Sequence, residues 1–394
     1  MINKNKDRGI TLVALVITII ILLILAGISI SALTNTGIFG KAKEAKKKSE
    51  DATLEQNKIL DNYEKEVDQY LPAFTGNTVE EAIQHGRVLN ATDNTELHDE
   101  YGNKIVVPAG FKIVSDSTTG NATTVNNGIV IEDATVDSEG KATATAGSQF
   151  VWIPVGKIYT DTAKTDANAK TIELGRYEFD SNGNKSAYSG SYVEEDANDE
   201  STLKNWGNTI AKNITTFKNS VTTNGGYYIG RYEARTTTAR SSKDDVLTQI
   251  TEKGTDSVYN YVTQKQAAEQ AQNMYNSNKF TSDLMNSYAW DTATLFLQTC
   301  GKEKYSRKTS VNSLLAGKGT NASDYTGTRD NVCNVYDMAS NVYEWTTETS
   351  DHSNLPCVYR GGGYDSSNNY TCYRDYYDTS YSDAFYGFRP LLFV

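Results

Sequence analysis

Tyr336-Asp337-Met338-Ala339-Ser340-Asn341-Val342-Tyr343-Glu344-Trp345 is followed by Tyr359-Arg360-Gly361-Gly362-Gly363-Tyr364, by a tyrosine-crowded run, and by Gly387-Phe388-Arg389 just before the C-terminus. Asp337 and Glu344 offer hard carboxylate oxygens seven residues apart, and the tight Ala-Ser-Asn turn between them can aim backbone carbonyls inward. Oxygen donors of that kind suit Ca²⁺ better than a transition metal. From Tyr364 to Tyr386 the chain holds seven Tyr, four Asp, four Ser, two Asn and two Thr in 23 residues. This is the composition of an antibody paratope, in which Tyr supplies rigid contact area and Ser and Asn supply adaptable hydrogen bonds. The plainer reading of the same stretch is an irregular, hydrogen-bonded polar loop.

The 46 residues after Glu348 contain no Lys, Glu, Gln, Met or Trp. Those five amino acids share one property: all their codons end in a purine. A stretch written in pyrimidine-ending codons, such as Asn codons whose adenines have been replaced, cannot encode them.

The totals bound the rest. A chain of 394 residues is long enough for two or three domains. A formal charge of −11 argues against a nucleic-acid partner, which needs a basic face. His85, His98 and His352 show no metal-ligand spacing. Cys300, Cys333, Cys357 and Cys372 allow three disulfide pairings and form no Cys-x-x-Cys pair, so a zinc knuckle is not expected.

Residues 1–9 form a polar leader with Lys4, Lys6 and Arg8, and from Ile10 to Ile30 every residue is apolar or small and uncharged. Twenty-one helical residues span about 31 Å, the thickness of a bilayer core, so this segment is expected to cross a membrane. Residues 31–72 read as a helical stalk, with Ile59, Tyr63, Val67 and Tyr70 on one face and Pro72 at its end. Residues 73–98 read as a polar connector with a short helix near Val79 to Arg87. An outer domain follows from residue 99, with strand-like runs at Lys104 to Val107, Phe111 to Val114, Gly128 to Ile131, Gln149 to Ile153 and Tyr227 to Glu233. Residues 157–220 read as a long surface insertion, and Ala267 to Tyr275 and Leu284 to Gln298 as the two main helices.

Two resemblances sharpen this outline. Gly9-Ile10-Thr11-Leu12-Val13 resembles the prepilin signal of type IV pilins and pseudopilins, which implies cleavage between Gly9 and Ile10 by a prepilin peptidase and pilin-like subunits as partners. Ala14 stands where that family usually carries Glu, which points to a minor or monomeric subunit. The implied location is the cell membrane, single-pass, with the C-terminal domain extracellular or carried on a pilus.

Residues 99–394 resemble the formylglycine-generating-enzyme domain, a variant of the C-type lectin fold. The markers are Phe150-Val151-Trp152-Ile153-Pro154, Ile229-Gly230-Arg231-Tyr232-Glu233, the helix around Trp290, the Tyr336 to Trp345 stretch, and Arg360-Gly361-Gly362 with Gly387-Phe388-Arg389. The expected fold class is therefore α+β: a transmembrane and stalk helix, then a lectin-like domain of short strands, two main helices and much irregular structure. The resemblance implies a structural Ca²⁺ held by the side chains of Asp337 and Glu344 and the carbonyls of Ser340 and Val342. The family's oxidase chemistry uses two nearby cysteines to bind copper. Here Cys372 has Ser367 five positions before it and no Cys after it, so no copper and no catalytic residue are expected.

The same arrangement resembles variable proteins of diversity-generating retroelements, which rewrite a C-terminal stretch of this fold. That implies a variable region over residues 359–389. Its ligand contacts would be Tyr364, Asp365, Ser367, Asn368, Asn369, Tyr370, Tyr373, Asp375, Tyr376, Tyr377, Asp378, Tyr381 and Tyr386, on a framework of Gly361, Gly362, Gly363, Gly387, Phe388 and Arg389. The expected function is surface-displayed binding of a protein or other surface ligand. The alternatives are an oxidase of the formylglycine-generating type and a structural minor pilin.

Overall fold

The structure is a computed structural model that describes residues 73–114, 122–196, 214–306, 330–364 and 370–394, with ten helical positions between 44 and 56. The chain divides into two compact units, residues 1–72 and 73–394. In the first, the described positions are helical, with an exposed Lys48–Glu44 pair at 3.5 Å one turn apart. The leader 1–9 and the expected transmembrane segment 10–30 lie outside the described residues, as does most of the stalk.

The expected fold class needs correction. The described chain is built mainly from short strands and irregular segments, and no helix among the described residues is long and apolar enough to cross a membrane. Its longest helix in the second unit, Ile214–Asn224, has 11 residues. At 1.5 Å per residue that is roughly 16 Å, about half a bilayer core.

The centre of the second unit is a six-stranded antiparallel sheet in the order Thr281–Leu284, Pro390–Phe393, Gly226–Gly230, Gln149–Pro154, Val130–Asp133, Phe111–Ile113. Successive strand side chains point to opposite faces. Phe150, Trp152, Tyr228 and Leu392 accordingly enter one core cluster, while Val151, Ile153, Tyr227, Ile229 and Leu391 enter another. Both faces are covered, which is why these strands read as continuous apolar runs rather than alternating ones. Tyr228 lies opposite both Trp152 and Leu392, and the Trp152 and Tyr228 rings meet edge-on at 4.9 Å.

Capping chemistry sets the helix limits. Thr78 and Glu81 form a reciprocal capping box that starts Val79–His85, and Gly86, at φ 68°, ends it. Thr263 and Gln266 form another, so the helix expected from Ala267 runs instead over Gln264–Gln272. The helix around Trp290 starts at Ser287, later than expected, and its α-helical turns to Phe296 continue as a π-helical segment over Leu297–Gly301. Asn286 caps its first turn through Ala289 N–H at 2.8 Å, and Leu284 belongs to the strand paired with Pro390–Phe393. Residues of the 73–98 segment enter the unit: Val79, Ala82, Leu89 and Leu97 are buried in the first core cluster.

Candidate functional site

A second, five-stranded sheet carries the C-terminal motifs. Its spine is Tyr343–Thr349, flanked by Cys357–Arg360 on one side and by the parallel strand Tyr386–Phe388 on the other. Arg374–Tyr377 adds to Cys357–Arg360, and Val193–Glu194 pairs with the far end of the spine. Glu344 lies opposite Arg360 and Gly387, while Trp345 lies opposite Tyr359 and Phe388. Alternation therefore sorts the sheet into an aromatic face and an ionic one.

The aromatic face is a graded stack. Trp345, Tyr359 and Tyr386 are buried at its base, with Tyr359 and Tyr386 edge-on at 5.0 Å and Trp345 and Tyr386 stacked at 5.3 Å. Tyr377 stacks on Tyr359 at 5.6 Å and on Tyr381 at 3.8 Å, nearly parallel in both contacts. Tyr373, Tyr377 and Tyr381 are half-buried, so each rests on a fixed ring and shows part of its surface to solvent. Burial, followed by hydrogen bonding with Tyr377, pushes the Tyr381 phenol up to about 12, and burial does the same for Tyr370. Both stay neutral near pH 7 and can donate and accept hydrogen bonds.

The ionic face is a buried network. Arg360 pairs with Asp291 and, at 3.4 Å, with Glu348. Arg374 reaches Asp291 at 2.8 Å and Glu348 at 3.0 Å, and Arg176 also pairs with Glu348. Burial alone would raise the Glu348 carboxyl, yet Arg374, Arg360 and Arg176 together hold it down at about 2.

The Tyr336 to Trp345 stretch fastens these sheets to the rest of the unit. Asp337 and Asn341 both adopt positive φ, 62° and 63°. Asn341 donates from its side-chain amide to Glu233 at 3.1 Å, and its backbone carbonyl accepts from Tyr364 N–H at 2.7 Å. Gly361 has φ 78°, and a Cβ there would sit 2.8 Å from the Met338 carbonyl oxygen. Trp290 donates its indole N–H to the Thr371 carbonyl at 2.8 Å.

The four candidate cation ligands are buried, but the two carboxylates are employed differently. Asp337 Oδ1 accepts from the Ser340 hydroxyl at 3.0 Å and its Oδ2 has no hydrogen-bond partner among the described residues; burial, then Glu233 and Asp330, raise this carboxyl well above its ordinary range. Both Glu344 oxygens face Arg389, so the donor set as placed supplies one open carboxylate. Among the described residues no group of three or more His, Cys, Asp or Glu is arranged to hold a metal ion.

Of the expected contact residues, Tyr364, Tyr370, Tyr373, Asp375, Tyr376, Tyr377, Asp378 and Tyr381 are half-buried, and Tyr386 is buried as a central ring. Asp365, Ser367, Asn368 and Asn369 lie outside the described residues. No disulfide joins the four cysteines among the described residues, and Cys372 donates to the Ser306 carbonyl at 3.0 Å. The histidines serve apart: His85 packs on Phe74, His98 sits beside Glu96, and His352 stacks on Tyr376.

One wall of the site is absent from the sequence reading. Between residues 156 and 194 the expected insertion folds into two hairpins and an edge strand. It brings Tyr188 and Tyr192 against the C-terminal segment, with Tyr192 edge-on to Tyr376 at 5.7 Å and Arg374 over the Tyr188 ring at 4.1 Å. The available signal was composition: Tyr188-Ser189-Gly190-Ser191-Tyr192 repeats the Tyr, Ser and Gly usage of the C-terminal run.

Residues 249–392 match the sulfatase-modifying factor enzyme 1-like domain family. Among solved structures the chain is similar to Treponema denticola variable protein 1, with a TM-score of 0.33 and 12% identity over 63% of this chain and 97% of that one. No curated protein matches.

Proposed function

We propose that this chain is a ligand-binding protein of lectin-like architecture whose recognition surface is the tyrosine face between Tyr364 and Tyr386, acting with no bond made or broken. The observation that carries this reading is the graded stack in which half-exposed Tyr373, Tyr377 and Tyr381 stand on the buried rings of Trp345, Tyr359 and Tyr386. Rings held from below lose little further entropy on binding, and aromatic anchors of this kind dominate interface energies. Diversification of the same stretch is the second half of the proposal. It is supported by the absence after Glu348 of the five amino acids whose codons all end in a purine and by the positions of Arg360, Gly361 and Arg389, which fix the backbone on either side of the half-exposed run.

The test is selection of a displayed random peptide library on the full chain, followed by titration of recovered binders against a Tyr377→Ala/Tyr381→Ala variant. Loss of binding by tenfold or more, with an unchanged circular dichroism spectrum, supports the reading. Equal affinity for both proteins would overturn it. Sequencing the surrounding DNA tests diversification: a reverse transcriptase gene and a near-copy of the 3′ coding end differing only at adenines is the expected result.

A further inference from the structure

Between the insertion and the C-terminal strand lies a cleft of about 470 Å³, lined by Tyr177, Glu178, Tyr188, Tyr192, Tyr370 and Tyr373 among others. We infer that this cleft receives a basic side chain, lysine or arginine, presented by a protein partner. The inference rests on the binding-protein reading above and adds the chemistry of the ligand.

Three observations carry it. First, the walls are phenol rings, whose faces attract cations within about 6 Å of the ring centre. The cleft already shows this preference internally, since Arg176 and Arg374 stand 4.5 and 4.1 Å from the Tyr188 ring. Arg374 itself lines the cleft, and Glu348 and Asp291 beneath the sheet balance two of the three charges of Arg176, Arg360 and Arg374, so the carboxylate that an incoming cation meets is Glu178.

Second, Glu178 lines the cleft half-exposed, and its one hydrogen bond shown is a long one from Ser189 N–H at 3.3 Å. A carboxylate beside aromatic walls is the pairing that recognises an ammonium or guanidinium group. Third, the cations beside the cleft are paired: on the insertion wall Lys185, over the Tyr177 ring at 4.7 Å, meets Glu173 at 2.6 Å. After Glu348 the cations are Arg360, Arg374 and Arg389, each paired with buried acids. Asp351, Asp375, Asp378 and Asp383 remain exposed or half-exposed on the same segment. A negative field steers basic partners toward the cleft and repels acidic ones.

The two walls differ in origin. Tyr177 to Tyr192 includes Glu178 and Lys185, residue types missing after Glu348, whereas Tyr370 to Arg374 belongs to the Lys-, Glu-, Gln-, Met- and Trp-free stretch. A constant wall would then fix the demand for a cation while the other wall selects what surrounds it.

The experiment uses the full chain and three fluorescein-labelled twelve-residue peptides, identical except for Lys, Gln or Glu at four alternating positions. Anisotropy is measured at low and physiological salt. The expected result is that the Lys peptide binds at least tenfold more tightly than the Gln peptide, and the Glu peptide more weakly still. Glu178→Gln and Tyr192→Ala should each weaken the Lys peptide three- to tenfold, while Tyr192→Phe, which keeps the ring, restores most of it. Equal binding of the Lys and Gln peptides overturns the inference, as does binding that ignores Glu178→Gln. If Tyr377→Ala/Tyr381→Ala abolishes Lys-peptide binding and the cleft variants do not, the cleft assignment fails and the tyrosine-face reading stands. The reverse pattern removes the tyrosine face and keeps the cleft.

Discussion

Arg389 and Glu344 meet in a two-pronged ion pair with both side chains buried, Nη2 to Oε1 at 2.7 Å and Nε to Oε2 at 3.1 Å. The same guanidinium donates to the Gly230 and Tyr336 carbonyls, each at 2.8 Å, and so ties the last strand to the central sheet and to the start of the Tyr336 to Trp345 stretch. A lysine cannot reproduce that planar fork. Arg389→Lys should therefore lower stability by about 3 kcal/mol and Glu344→Ala by about 3 to 5 kcal/mol, because each leaves a buried charge short of its partner. Urea unfolding checks both, and a change below about 1 kcal/mol would show that the pair is not structural.

Glu348 is a different case, since one carboxylate serves Arg176, Arg360 and Arg374. Its folded value near 2 lies below the ordinary 4.5, so its contribution to stability is fully present above about pH 4.5 and is lost as pH falls toward 2. Glu348→Gln removes that dependence. The wild type should lose stability between pH 4.5 and 2 more steeply than the variant, while at pH 7 the variant is weaker by about 3 kcal/mol. Because Arg176 lies in the insertion, limited proteolysis between residues 177 and 192 should also quicken in the variant. Parallel acid titrations of the two proteins would sink the assignment.

How much of this was legible follows from what each signal needs. The strands at Gln149–Pro154 and Gly226–Gly230 could be read because both faces are buried, so Phe150 to Pro154 and Tyr227 to Ile229 are apolar or aromatic throughout. The hairpins of the insertion could not, since Lys185–Ala187 is exposed throughout and a three-residue strand carries no period. Helix limits moved by several residues where a cap, Asn286 or Thr263, outweighed apolar spacing. The tyrosine run was visible as composition, but its grading from buried Tyr386 to half-exposed Tyr381 depends on strand register. The Asp291, Glu348 and arginine network joins residues far apart in sequence, and no local pattern announces it.

Asp283 shows an opposite pH sense to Glu348. It is buried in the strand beside Pro390–Phe393, accepting from Gln272 at 3.0 Å and from Leu284 N–H at 2.8 Å. Burial pushes its carboxyl from 3.8 up to about 7. A raised value means stability that is present below about pH 4 and lost as pH rises toward 7, by at most about 4 kcal/mol for three pH units. Asp283→Asn keeps an acceptor at Oδ1 and does not titrate. The variant should gain stability relative to wild type on going from pH 4 to pH 8, read from melting temperatures across that range. A constant difference between the two proteins would refute the burial argument.

Gly361 closes the strand that carries Arg360 and Tyr359 and opens toward the tyrosine run. At φ 78° any other residue is strained, and a Cβ would press on the Met338 carbonyl at 2.8 Å and on the Trp290 ring at 3.3 Å. Neither neighbour can give way easily, because Trp290 is buried and its indole N–H is bonded to the Thr371 carbonyl. Gly361→Ala should lower stability by about 2 to 3 kcal/mol, combining backbone strain with the clash. The consequence for recognition is separate and more telling. Moving the 361 backbone displaces Thr371 and the tyrosines after it relative to the rings beneath them, so binders selected on the wild type should lose at least tenfold in affinity at temperatures where the variant is still folded. Retained affinity alongside the stability loss would mean that the tyrosine face is positioned by the strand pairing of Arg374–Tyr377 alone.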